Sequence, residues 1–252
     1  MRIISLGAGV QSTTLALLAH HGEIEPPDYA VFADTGWEPK AVYKHLDWLE
    51  SYLSFPVVRV SAGNLKDNLL GKTKGQRFAT VPLFTANGGM GLRQCTYDHK
   101  IRPIQRFCKP FSSKGNPVIS QIGISTDEWA RMKPSRVKYM KNTWPLIDEL
   151  EMSRNDCMVW LKDKGHTVPP KSACLGCPYH NDAQWREIKT EYPEEFEETC
   201  KVDEAIRVDD KFKFKRYMHR SLKSLRDVDF RTMEEMGQLN FFTDECEGMC
   251  GV

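Results

Sequence analysis

The first sixty residues alternate short apolar runs with stretches of helical spacing, and this alternation restricts the fold more than any other feature of the chain. Residues 2–6 read as a buried strand, Gly7-Ala8-Gly9 forms a turn, and residues 12–21 are an alanine- and leucine-rich helix. After Pro26-Pro27, residues 29–33 read as a second strand that ends at Asp34-Thr35-Gly36. Val42, Leu46, Leu49 and Leu53 recur at helical spacing within residues 40–53, and residues 56–60 make a third strand. Strands alternating with helices predict an α/β fold with a doubly wound, mainly parallel sheet, in which ligands sit beyond the carboxyl ends of the strands. The Gly-Ala-Gly turn and Asp34 both fall at such ends.

Residues 63–91 are polar and glycine-spotted, which predicts a mobile loop, and residues 117–124 supply a fourth strand. The second half changes character: residues 152–164 and 181–201 read as helices around a loop at 165–179. The expected division is a nucleotide-binding α/β domain over residues 1–150 and a helical, cysteine-bearing appendage over 151–252.

Apolar residues at 40% and charged residues at 27% argue against a disordered chain. A net charge of +1 excludes a globally basic protein but leaves room for local basic patches. The N-terminus turns to glycine after Met1-Arg2-Ile3-Ile4-Ser5-Leu6, without the apolar stretch of a signal peptide, and no apolar run has the length of a membrane span. A cytoplasmic chain with no membrane partner is therefore expected. Eight cysteines in a reducing compartment point to metal binding or sulfur chemistry rather than to disulfides.

In Ser5-Leu6-Gly7-Ala8-Gly9-Val10-Gln11-Ser12-Thr13 the small residues let backbone N–H groups approach an anion, and the following helix directs its positive end to the same place. The GxGxxG spacing of a dinucleotide site is absent. The order strand, small-residue turn, Ser-Thr, helix, then a strand ending in Asp-Thr-Gly resembles the PP-loop ATPases of the adenine nucleotide alpha hydrolase superfamily. Their SGGxDS motif aligns with Gly7 to Ser12, with Gln11 standing where the family has an aspartate. Phe32-Ala33-Asp34-Thr35-Gly36, followed by Glu38-Pro39, resembles the phosphoadenosine phosphosulfate (PAPS) reductase branch. The resemblance implies an ATP site, with Mg2+, formed by Ser5, Gly7, Ala8, Gly9, Gln11, Ser12, Thr13, Asp34, Thr35 and Gly36. Asp34 would face the nucleotide or its metal, and a helix N-cap is its alternative use.

Cys95 lies in Arg93-Gln94-Cys95-Thr96 and is followed by Lys100-Ile101-Arg102-Pro103. Fixed cations lower a thiol's pKa and favour the thiolate as ligand or nucleophile. Arg93, Lys100 and Arg102 are also the expected cations for an anionic substrate. A cysteine followed by K-[IV]-x-P and then by a downstream CxxC resembles PAPS reductase relatives and the sulfur-incorporating enzyme of bacterial DNA phosphorothioation. The CxxC is Cys174-Leu175-Gly176-Cys177, in a loop that lets both sulfurs turn to one ion or cluster.

That resemblance implies a [4Fe-4S] cluster on Cys95, Cys174 and Cys177, with Cys157 as the candidate fourth ligand. Zinc, held by four thiolates or by three with His99 or His180, is the alternative. Cys108 and Cys200 are read as packing residues. Cys246 and Cys250 form a thiol pair near the end of the chain, suited to a redox or persulfide relay. Glu245-Cys246-Glu247-Gly248 loosely matches the ECG-type motif of PAPS reductases. Lys72, Lys74 and Arg77, then Lys100, Arg102 and Arg106, and most densely Lys211, Lys213, Lys215, Arg216, Arg220, Lys223 and Arg226, are candidates for a polyanion path.

The implied function is an ATP-dependent sulfurtransferase that adenylates a nucleic acid or nucleotide and takes sulfur from a donor such as a cysteine desulfurase. A reductase of an adenylylated sulfate, attacking through a tail cysteine, is one alternative. A non-catalytic nucleotide-binding subunit with structural zinc is another.

Overall fold

The computed structural model describes residues 1–73, 78–208, 214–231 and 235. Its first half is the expected alternation: β1 (Arg2–Leu6), α1 (Val10–His20), β2 (Tyr29–Asp34), α2 (Lys40–Tyr52) and β3 (Val57–Ser61). Next come the short helix α3 (Leu65–Leu69), the two-residue strand β4 (Phe84–Thr85), a π-helical turn at Thr96–Ile101 and α4 (Arg102–Cys108). Strands β5 (Val118–Ile122) and β6 (Met140–Thr143) complete the sheet. They are followed by α5 (Pro145–Asp148), α6 (Arg154–Asp163), α7 (Asp182–Glu191), α8 (Pro193–Val208) and β7 (Arg216–Tyr217).

Five parallel strands lie in the order β3-β2-β1-β5-β6. Neighbouring residues of one strand point to opposite faces, so Ile4, Ala30 and Phe32 pack with α1, α2 and α6, while Ile3, Val31 and Val118 pack with α4. Burial on both faces explains why β1 and β2 read as continuous apolar runs. Leu146, Cys157 and Leu161 belong to the same core as α1, so α6 is built into the α/β layer. A separate cluster joins α3, the CxxC loop, α7 and α8 through Trp37, Leu65, Leu175, Trp185 and Phe196.

Three expectations differ from the structure. The stretch at 63–91 is not simply a loop: Asn64 caps α3 by accepting the N–H groups of Lys66 and Asp67, and β4 pairs antiparallel with β7. The helix expected over 181–201 is two helices, because Pro193 supplies no N–H to continue the first. Finally, β6 was not anticipated. It is an edge strand whose Met140-Lys141-Asn142-Thr143 carries one buried apolar residue, and its pairing with β5 defines it.

Candidate functional site

From β1 the sheet extends through β2 and β3 on one side and through β5 and β6 on the other, so a crevice opens where the winding reverses. A cavity of about 180 Å3 lies there, beyond the carboxyl ends of β1 and β5. The first turn lines it with Ser5, Gly7, Gly9, Gln11 and Ser12, and β5 contributes Ile122 and Gly123. The Ser12 hydroxyl accepts the Gly7 N–H at 3.1 Å and donates to the Gly9 carbonyl at 3.3 Å, while Ser172 donates to the Gly7 carbonyl. Gly9 opens α1 with no side-chain cap, and no acidic residue occupies the first turn. The N–H groups that a helix leaves unbonded at its start therefore remain for an anion. A Cβ on Gly123 would stand 2.8 Å from the Ser12 backbone, so β5 can approach α1 this closely only through glycine.

Lys100, Arg131, Arg154 and Lys171 add four cations to the walls, against one carboxylate, Glu128, which Arg131 pairs. Gln11 is fixed among them: its Nε2 donates to Glu128 at 3.1 Å and its Oε1 accepts from Arg154 at 3.2 Å. A neutral amide can serve both partners at once, whereas an aspartate here would face Glu128. The cleft suits a polyphosphate.

A second cavity, of about 40 Å3, is lined by Cys95, Cys174 and Cys177 together with Thr35, Arg93 and Tyr179. Thr96 and Lys100 line both cavities. They belong to the π-helical turn, a form that recurs at functional sites. Arg93 lies over the Tyr179 ring, 5.3 Å from its centre.

Behind the cysteines stands Glu38, only 3% exposed. Its Oε1 accepts from the Cys174 thiol at 3.3 Å and from Thr35 at 3.2 Å, and pairs with Lys100 at 3.3 Å. Its Oε2 is buried without a hydrogen-bond partner among the described residues. Leu175 donates its N–H to the Trp37 carbonyl at 2.9 Å, and the Trp37 ring covers Gly176 so closely that a Cβ there would fall 2.1 Å from it. The Asp-Thr-Gly-Trp segment and the CxxC loop thus form one unit.

The electrostatics correct the expectation for Cys95. Burial pushes its thiol pKa up, outweighing the opposing pull of Arg93 and Lys100. Burial and the neighbouring Glu38 raise Cys174 as well. Burial thus favours the thiol form of both, although Arg93 and Lys100 line the same cavity.

Several expected site residues lie elsewhere. Asp34 accepts the Gly36 N–H at 2.7 Å and the Tyr43 hydroxyl at 2.8 Å, lines neither cavity, and does not cap α2, whose N-cap is Pro39. Thr13 turns into the protein to meet His45 at 3.0 Å. Neither Ala8, at φ 55°, nor Gly36, at φ 66°, is part of the cleft wall. Arg102 pairs with Asp98 and stacks on Tyr97, outside both cavities. His180 is buried with both ring nitrogens engaged, by the Cys174 carbonyl at 3.0 Å and Gln184 at 3.2 Å, and burial lowers its pKa. His99 is also buried and does not line the cysteine cavity.

Cys157 is the clearest departure. It sits on the inner face of α6 against α1, its thiol bonded to Thr14, and burial pushes its pKa up to about 12. It is a packing residue and does not join the other three cysteines. Cys157→Ala is expected to cost roughly 1–2 kcal/mol in urea denaturation, as for a small buried deletion, without changing nucleotide affinity. Among the described residues no group of three or more His, Cys, Asp or Glu side chains is disposed to hold a metal ion.

Cys246, Cys250, Lys74, Arg77, Lys211 and Lys213 fall outside the described residues. In the rest of the basic run, Arg220 pairs with Asp182, and Arg226 with Glu197 and Glu204, so these cations fasten the C-terminal segment to α7 and α8. Sequence reading missed Glu38 as a buried partner, and missed Arg131, Arg154 and Lys171, which are scattered along the chain and converge only in the fold. Lys171-Ser172, separated from the CxxC only by Ala173, was the one local signal.

No family model matches this chain, and no curated protein matches it. Among solved structures it is similar to a phosphoadenylyl-sulfate (PAPS) reductase from Candida auris in a phosphate complex, at 9% identity and a TM-score of 0.42, over 67% of this chain and 74% of that one. No helix among the described residues is long and apolar enough to cross a membrane.

Proposed function

We propose that the protein is an ATP-dependent sulfurtransferase of the PP-loop type, which adenylates an oxygen of a nucleic acid or nucleotide and replaces it with sulfur. The observation that carries this reading is the shared wall: Thr96 and Lys100 face both the phosphate-suited cleft and the three-cysteine cavity. Phosphates would lie on the first N–H groups of α1 and the cleft cations. The acceptor oxygen attacks the α-phosphorus, the bond to the β-phosphate oxygen breaks, and pyrophosphate leaves. Lys100, Arg154 and Lys171 stabilise the charge that develops on it. A reduced sulfur then bonds to the activated atom, and AMP departs with the oxygen and its electron pair. Glu38 holds Lys100 at the boundary between the two events.

Cys95, Cys174 and Cys177, which line the second cavity, would supply three ligands of an iron-sulfur cubane once their side chains are drawn onto it, and their thiolates would find there the positive partner that burial demands. When bound, such a group supplies a soft metal on which sulfur can be held. Zinc is the competing occupant. Mg2+ would accompany the ATP phosphates.

The tail cysteines separate this reading from a reductase of adenylylated sulfate, which needs a tail thiolate as nucleophile. In the Cys246→Ser/Cys250→Ser variant, acceptor-dependent cleavage of ATP to AMP and pyrophosphate should persist, with sulfur delivery at most slowed. Sulfite release from an adenylylsulfate by the unmodified protein, lost in this variant, would favour the reductase instead.

A further inference from the structure

One side of the protein concentrates positive charge far beyond the chain's net +1: residues 99–147 hold ten lysines and arginines against two acidic residues, Asp127 and Glu128. The fold lays this block out in two adjacent segments. Helix α4 runs down one face of the sheet. The connection at 123–139 returns beside it from the carboxyl to the amino end, since β5 and β6 are parallel. Val137 and Tyr139 pack in the same cluster as Ile104, Phe107 and Cys108 of α4, which sets the segments side by side. Their outer positions are exposed cations: Arg106 and Lys109 on and just past α4, and Lys133, Arg136 and Lys138 on the connection. None of these five makes an ion pair among the described residues, in contrast to Lys100, Arg102 and Arg131, which pair with Glu38, Asp98 and Glu128.

At the upper end of the strip, Trp129 is 68% exposed and lies between Glu128 and Arg131, both of which line the cleft. A large indole left in water at a cleft mouth is poor packing but a good platform for a flat ring.

We propose that this face is a docking track for a single-stranded nucleic acid, its backbone along the five cations and one unpaired base stacked on Trp129. The combination favours a strand over an acidic protein, because cations alone would serve the latter and a solvent-facing indole beside a nucleotide cleft would add nothing. Delivery of that base to the cleft rests on the sulfurtransferase reading; the binding itself does not.

The test is fluorescence anisotropy on the full chain with labelled DNA and RNA strands of about 20 nucleotides, single and duplex, across a salt series. Single strands should bind with Kd of about 1–100 μM near 0.1 M salt. The triple variant Lys133→Glu/Arg136→Glu/Lys138→Glu should weaken this about tenfold or more and flatten the slope of log K against log salt by about two. Trp129→Ala should cost about fivefold or more, while Lys162→Glu on α6, across the sheet, should change nothing. No strand binding, full affinity in the triple variant, tighter binding of duplex that is indifferent to Trp129→Ala, or equal binding of polyglutamate or anionic vesicles would each overturn the proposal. ATP cleavage is followed on the same samples. Strand binding without cleavage removes the sulfurtransferase reading and leaves the docking track standing, and cleavage without strand binding does the reverse.

Discussion

Gly9→Asp is expected to abolish adenine-nucleotide binding, by a hundredfold or more in Kd (about 2.7 kcal/mol), in a protein that still folds. Gly9 has φ −99° and ψ −179°, an ordinary extended conformation, and an added Cβ would meet only the Ser172 Cβ, at 3.5 Å. The backbone therefore tolerates a side chain. What it cannot accommodate is a carboxylate at the uncapped start of α1, where the dipole and free N–H groups are to receive phosphate. Calorimetric titration with Mg-ATP reads the effect, and circular dichroism checks the fold. Unchanged affinity in the folded variant would place the nucleotide somewhere other than this turn.

Gly176→Val should act on stability and on the cysteine cavity together. Its Cβ would fall 2.1 Å from the buried ring of Trp37, so either the indole or the CxxC loop must move. Overpacking of this kind costs about 2–3 kcal/mol. The Leu175–Trp37 hydrogen bond that joins the loop to the Asp-Thr-Gly-Trp segment lies one residue away and should be lost with it. Adding Trp37→Ala makes room for the valine, so the double variant should cost clearly less than the two single changes summed. Additive costs, or a Gly176→Val protein as stable as the unmodified one, would contradict the close approach.

The strands β1 and β2 were legible because burial on both faces writes them as apolar runs, and β3 because Val57, Val58 and Val60 are β-branched although the strand is only half-buried. The Gly-Ala-Gly turn was legible because few residues permit it. Strand β6 was hidden because an edge strand needs little apolar character, and its identity lies in its partner β5. Cys157 was misread for a related reason. Distance along the chain from the CxxC made it look like a ligand, while its i,i+4 partner Leu161, also fully buried, marks the inward face of α6. Neighbouring Arg93 and Lys100 suggested a thiolate at Cys95, but burial, which sequence does not display, outweighs them. Glu38 stood in the sequence only as part of the Glu38-Pro39 pair after Asp-Thr-Gly, and in the fold it is the group that joins Lys100 to Cys174. The site's residue types were visible, and their partners were not.

Under the proposed function, the cavity of Cys95, Cys174 and Cys177 beside the phosphate-suited cleft serves sulfur chemistry through an iron-sulfur cluster. The most direct measurement is the iron, acid-labile sulfide and zinc content of protein purified without exposure to air, compared with its Cys174→Ala and Cys157→Ala variants. About four irons and four sulfides per chain are expected, lost in Cys174→Ala and retained in Cys157→Ala. Stoichiometric zinc with no iron or sulfide, or loss of iron on replacing Cys157 alone, would contradict it.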